Sequence, residues 1–160
     1  MFNQLGEEVK LYVASSWRNQ HQPEVVSRLR LQNHEVYDFR HPAPGEEGFS
    51  WAGIDASWQQ WSVSQYRTAL RHDLARQGFK RDFDALNWCD GCVLVLPSGV
   101  SAHLEAGWCK GAGKAVVVYA PELKEAELMY KLFEADNDIL LYESLDDVVA
   151  CIGRLAAPAE

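Results

Sequence analysis

Apolar and polar positions come in blocks along the chain, and the blocks predict strands and helices in turn. Residues 9–14 are a short apolar run ending in Ser15 and Ser16, which predicts a buried strand leading into a loop. Residues 23–32 place Val25, Val26 and Leu29 at helical spacing. Pro23 suits a first helical position, and Asn33 can close the helix. Residues 35–39 alternate and predict a second strand. Residues 64–77 predict a helix capped by Ser62 or Ser64, with Tyr66, Leu70 and Leu74 on one face. Residues 81–88 predict another, with Phe83 and Leu86 turned inward. Residues 91–96 form the strongest strand signal, a run without a polar residue, as in a sheet covered on both faces. Further on, the pattern predicts helices over 101–111, 125–133 and 145–155, the last capped by Ser144. Strands are predicted over 115–119 and 139–142.

This alternation predicts an α/β fold. We expect one domain over residues 1–160, with a mostly parallel sheet, helices on both faces and right-handed crossovers in a doubly wound, flavodoxin-like arrangement. One stretch does not fit the rhythm. Residues 40–62 hold Pro42, Pro44, Gly45, Gly48 and Gly53 together with Phe49, Trp51, Trp58 and Trp61. A loop of that length in a compact domain usually has a task. At least two of its rings are expected to anchor it, leaving one or two to stack on a flat ligand.

Composition narrows the function. The 160 residues carry a formal net charge of −8, so a nucleic-acid polymer is not the expected partner. The basic spot at Arg28 and Arg30 reads as a solvated helix face. No segment approaches the roughly 18 apolar residues of a membrane span, and the first residues do not resemble a secretory signal. The four cysteines are Cys89, Cys92, Cys109 and Cys151, expected as thiols in a reducing cytoplasm. Cys89 and Cys92 have a C-x-x-C spacing without a second ligand pair. They read as buried thiols flanking a strand start rather than a zinc site, with a redox role as the lesser alternative. No metal and no cofactor is expected.

In such a sheet, ligands sit at the carboxyl ends of the strands. Two polar loops leave those ends, residues 12–19 and residues 97–105, and a third, weaker one follows Tyr119. None contains a dinucleotide fingerprint, a P-loop or a complete nucleophile elbow. Glu105 is expected in the first turn of its helix. An acid there complements the helix dipole, and the same placement keeps a carboxylate ionised and aimed, as a nucleophile toward an anomeric carbon requires. Both readings of Glu105 stay open on local grounds. Tyr12 is equally a packing residue, and Asp82 and Asp84 are equally first-turn acids. His103 is expected as an exposed first-turn residue or a pocket residue. Asn19 and Arg40 are further candidates.

The set Tyr12, Ser16-Trp17-Arg18, Asp82, then strand, loop and Ala102-His103-Leu104-Glu105-Ala106-Gly107-Trp108 resembles the nucleoside 2-deoxyribosyltransferase family and the related 2'-deoxynucleoside 5'-phosphate N-hydrolases. The resemblance runs from about residue 10 to 119 and more weakly beyond. It implies that Glu105 is the catalytic nucleophile, that Asp82 is an acid or proton relay near the base, and that Tyr12 holds the glutamate. Ser16, Trp17, Arg18, Ser98, Gly99 and Ser101 would bind substrate. The chain departs from the pattern at Gly99, where the transferases have an aspartate and the hydrolases a serine; Ser98 and Ser101 lie close by. Arg18 follows the phosphate-binding hydrolases, whereas Trp17 follows the transferases. The resemblance also implies a homodimer or larger homo-oligomer in which a neighbouring subunit contributes from the region of Glu127. Glu127 is acidic and would repel a phosphate. The implied reaction is cleavage, or transfer, at the N-glycosidic bond of a nucleoside or nucleotide. The other classes considered are a non-catalytic nucleotide-sensing module on the same fold and a flavin-binding or interaction domain.

Overall fold

The computed structural model describes residues 7–157. In chain order these form β1 (Lys10–Ala14), α1 (Gln22–Leu31), β2 (Glu35–Asp38), α2 (Val63–Ala69), α3 (Asp73–Trp88), β3 (Gly91–Val95), α4 (Val100–Gly111) and β4 (Ala115–Tyr119). The short strands β5 (Glu134–Ala135), β6 (Asp138–Ile139) and β7 (Leu141–Tyr142) follow, and α5 (Leu145–Ala156) closes the chain. There are two compact units. One comprises the chain up to Tyr37 and from Trp88 onward; the other is Asp38–Asn87.

The first unit holds a five-stranded sheet in the order β2-β1-β3-β4-β7, the doubly wound α/β arrangement expected from the alternating pattern. β1 pairs parallel with β3, β3 with β4, and β4 with β7. Tyr12 lies opposite Cys92, and Cys92 opposite Val116. Side chains alternate across a strand, so this register sorts the residues between two faces. Leu11, Val13, Val93, Val95 and Val117 join Val25, Val26 and Leu29 of α1 and Val148, Cys151 and Ile152 of α5 in one core. Tyr12, Ala14, Cys92, Leu94, Val116 and Val118 fall on the opposite face. There α4 packs against β1, β3 and β4. Its inward residues Ala102, Ala106 and Cys109 recur at helical spacing, and their small side chains let the helix lie close on the sheet.

The last predicted strand, 139–142, is divided. Only β7 joins the sheet, while β6 folds back on β5 as a separate antiparallel pair. Asp136 and Asn137 make that turn with φ of 51° and 64°, a conformation acidic and amide residues tolerate better than most. The predicted helix over 125–133 shrinks to a 3-10 stretch, Leu128–Phe133.

In the second unit the helix boundaries differ from the pattern as well. The chain breaks after α2, and His72 restarts it: its Nδ1 accepts the N–H of Leu74 at 3.1 Å. α3 then runs unbroken to Trp88, so Asp82 and Asp84 are interior residues rather than first-turn acids. Ser62 caps α2 in a reciprocal capping box with Gln65. The buried residues of these two helices are Ala69, Ala75, Gly78, Ala85 and Leu86, the last turned inward as expected. Tyr66, Leu70 and Leu74, expected on one face of a single helix, are divided between α2, the break and α3 and are 45%, 49% and 42% exposed. The loop aromatics cluster on Trp51, whose ring meets Phe49, Trp61 and Tyr66 edge-on at centroid distances of 4.7, 5.7 and 5.6 Å. Trp61 also donates its Nε1–H to Asp55 at 2.7 Å. Phe49, Trp51 and Trp61 therefore anchor this segment.

Candidate active site

In the strand order β2-β1-β3-β4, the connections from β1 and β3 leave in opposite directions, and a crevice opens between their carboxyl ends. The two polar loops singled out from the sequence meet there. The loop after β1 is tied to the end of β3 by two side chains. Ser15 Oγ donates to the Val95 carbonyl at 2.9 Å. Asn19, 4% exposed, donates through Nδ2 to the carbonyls of Pro97 at 2.9 Å and Val95 at 3.3 Å. Its Oδ1 accepts the N–H groups of His21 and Gln22 at 2.7 and 3.0 Å. Both amide protons and both lone pairs of Asn19 are thus used. One residue starts α1 and holds the β3–α4 loop, which begins with a cis peptide at Leu96–Pro97.

Glu105 is the sixth residue of α4, so it lies in the second turn and not the first, where there is no acid. The dipole effect fades beyond the first turn. What fixes Glu105 is its side of the helix. Positions 102, 105, 106 and 109 share the sheet-facing stripe, and Glu105 is half-buried with Oε2 enclosed. Tyr12 projects from β1 on that same face of the sheet. It is fully buried, hydroxyl included, and its ring stacks on Tyr37 at 5.2 Å and 24°. Structure and alternation therefore bring Tyr12 and Glu105 to one layer. Asp82 belongs to the other compact unit, half-buried in the third turn of α3.

The predicted binding residues spread over three places. Ser16, Trp17 and Arg18 form a turn closed by the Asn19 N–H on the Ser16 carbonyl at 3.2 Å, with Trp17 and Arg18 exposed. Ser101 is an exposed residue of the first turn of α4. Ser98, Gly99 and Glu127 line one cavity of about 630 Å³ between the outer face of α4 and residues 122–133. Gly99 begins α4 with φ −87°, and a Cβ there would meet nothing within 4 Å. Its glycine is not demanded by the backbone; it leaves room.

Sequence reasoning missed Tyr130, which also lines that cavity. Its hydroxyl is 2.9 Å from His103 Nε2, and the two rings stack at 5.7 Å. Burial, and then Glu127 and Glu125 nearby, raise the Tyr130 pKa. No sequence signal marks this residue, because its partner lies 27 positions earlier. The cysteines are buried thiols, as expected. The hydrogen bond between Cys89 and Cys109, followed by burial, pushes the Cys89 pKa well above the ordinary thiol range, the setting of an unreactive cysteine. Among the described residues there is no cluster able to hold a metal ion, and no helix is long and apolar enough to cross a membrane.

No protein-family model matches the sequence, and no curated protein matches it either. Solved structures do. A 2-deoxyribosyltransferase from the psychrotolerant bacterium Bacillus psychrosaccharolyticus superposes with a TM-score of 0.55 at 22% identity, over 86% of this chain and 88% of that one. The chain has the fold of that enzyme. A CMP N-glycosidase of Clostridium botulinum, BcmB, matches with a TM-score of 0.49 at 17% identity, over 89% of this chain and 96% of that one. In the deoxyribosyltransferase fold seen here, the crevice between β1 and β3 and the sheet-facing stripe of α4 lie in one unit.

Proposed function

We propose that this chain is an enzyme that breaks the N-glycosidic bond of a nucleoside or nucleotide, with Glu105 as nucleophile. The observation that carries the reading is the placement on one sheet face of an enclosed Glu105 carboxylate oxygen and the enclosed hydroxyl of Tyr12. A fold shared with a 2-deoxyribosyltransferase supports it.

In this mechanism Glu105 attacks C1' of the sugar while the bond to the base stretches, with charge spread over an oxocarbenium-like transition state. The electron pair of the broken C1'–N bond leaves on the base, which takes a proton from Asp82 directly or through water. Tyr12 fixes the direction of the carboxylate. A water molecule then attacks C1', loses a proton and frees the glutamate; with a second base in its place, the sugar is transferred. Ser16, Trp17, Arg18, Ser98, Gly99 and Ser101 are the proposed substrate contacts. The exposed Leu128 and Met129, 84% and 62% accessible beside Glu127, support a homo-oligomer in which this face is covered.

The test is incubation with a panel of deoxynucleosides, ribonucleosides and their 5'-phosphates, with and without a second free base, followed by chromatography. Base release that Glu105→Ala reduces by orders of magnitude, without loss of fold, is the expected result. A folded Glu105→Ala protein with full activity would sink the proposal, and ligand-induced stabilisation without base release would favour a sensing module.

A further inference from the structure

We infer that His103 is a positioning residue: a strut that fixes the Gly99 end of the β3–α4 loop against Tyr130. This deepens the proposed function and rests on it where turnover is concerned.

The geometry assigns the protons. His103 Nδ1 lies 2.8 Å from the Gly99 carbonyl, which can only accept, so Nδ1 carries the hydrogen. In the neutral ring Nε2 is then an acceptor, and the Tyr130 hydroxyl donates to it at 2.9 Å. Ser98 Oγ, 3.5 Å from Nδ1, is at the limit of a hydrogen bond, so Gly99 is the partner that counts. Ring stacking continues from His103 to Tyr130 and on to the buried Phe133, with centroids 5.7 and 6.2 Å apart.

Gly99 needs such a strut. It has no side chain, its φ and ψ of −87° and −164° are open to many residues, and it borders empty space. Asn19 holds the loop from one side, at Pro97. His103 holds it from the other. The foot of the strut stands in Leu128–Phe133.

The two arms can be separated by substitution. An asparagine in a helix reaches the carbonyl four residues back, as Asn87 Nδ2 does to Phe83 at 2.9 Å. His103→Asn therefore keeps the Gly99 arm and loses the Tyr130 arm. Tyr130→Phe loses the Tyr130 arm alone, and His103→Ala loses both. The first readout is amide hydrogen exchange over residues 98–102 of the unliganded protein. We expect the fastest exchange in His103→Ala, intermediate and similar exchange in the other two, and no further change in the double variant His103→Asn, Tyr130→Phe. The second readout is kcat/KM. His103→Ala should fall about tenfold to a hundredfold, the scale on which a slightly misplaced binding group is felt, and His103→Asn should recover part of it. Wild-type exchange in His103→Ala, or an additive double variant, would overturn the strut. If wild type releases no base, the proposed function fails, while the exchange measurement still decides on His103.

Discussion

The side-chain amide of Asn19 donates to the Pro97 carbonyl at 2.9 Å while its own oxygen accepts the N–H groups that open α1. Asn19→Leu fills similar space and leaves three backbone groups, the Pro97 carbonyl and the N–H groups of His21 and Gln22, to find other partners, while Val95 keeps its bond from Ser15. Buried groups left without hydrogen bonds cost about 1–3 kcal/mol each. With some relaxation, we expect a loss of roughly 2–4 kcal/mol in urea unfolding. Base release should fall further than stability alone explains, because the loop after β3 loses one of its two holds. A variant with wild-type unfolding would show that water replaces the amide.

Asp82 is predicted to matter most for bases that leave poorly. If it delivers the proton to the departing base, Asp82→Asn should lower kcat about 10²- to 10⁴-fold on an ordinary nucleoside. The loss should be much smaller on a substrate whose base leaves as a stable anion. Equal losses on both substrates would assign Asp82 a different role.

Acid should weaken the fold through His34. This ring is buried, accepts the Val9 N–H on Nδ1 at 3.3 Å, and has its pKa lowered below 6.5 by burial. A histidine with a lowered folded pKa stays neutral in the native state while the unfolded chain takes up a proton. Its contribution is therefore complete above pH 6.5 and is lost as the pH falls through that value toward the lower folded pKa. The urea midpoint should drop between pH 7.5 and pH 5.5, and His34→Gln should reduce that drop. The same drop in both proteins would exonerate the residue.

Close packing in the second unit makes a coupled prediction. A Cβ added at Gly78 would sit 2.9 Å from Phe49 Cβ and 3.0 Å from Phe49 Cγ. Gly78→Ala gains up to ~1 kcal/mol of helix propensity but meets overpacking worth roughly 1–3 kcal/mol. We expect net destabilisation in the wild-type background and net stabilisation when Phe49→Gly, which removes the Cβ as well as the ring, is already present. An identical effect in both backgrounds would mean that the ring simply moves aside.

The central strands were legible because burial on both faces leaves a plain apolar run, as in residues 91–95. The parallel sheet was legible through the alternation of strands and helices, but not that β1 and β3 are neighbours. The break between α2 and α3 was not. Leu70 and Leu74 continue a helical period across it, and only the bond from His72 shows that the helix starts afresh. The first-turn position of Glu105 does not follow from the predicted helix itself. Counted from residue 101 Glu105 is the fifth residue, already past one turn of about 3.6, and from Val100 it is the sixth. Asn19 had a weak signal, an amide shortly before a proline-led helix, whereas nothing local announces Tyr130.

α4 is read from two sides. Residues 102, 105, 106 and 109 face the sheet, while 100, 103, 104 and 107 line the outer cavity. Each residue in an α-helix advances the direction of projection by about 100°. A single residue gained or lost between Gly99 and Glu105 would therefore turn the acid off the sheet and carry an outer residue inward. The six-residue interval between them is fixed far more tightly than the loops on either side of the helix. Length variants of this chain should accumulate in residues 120–127 and 40–50 and be absent from this one stretch.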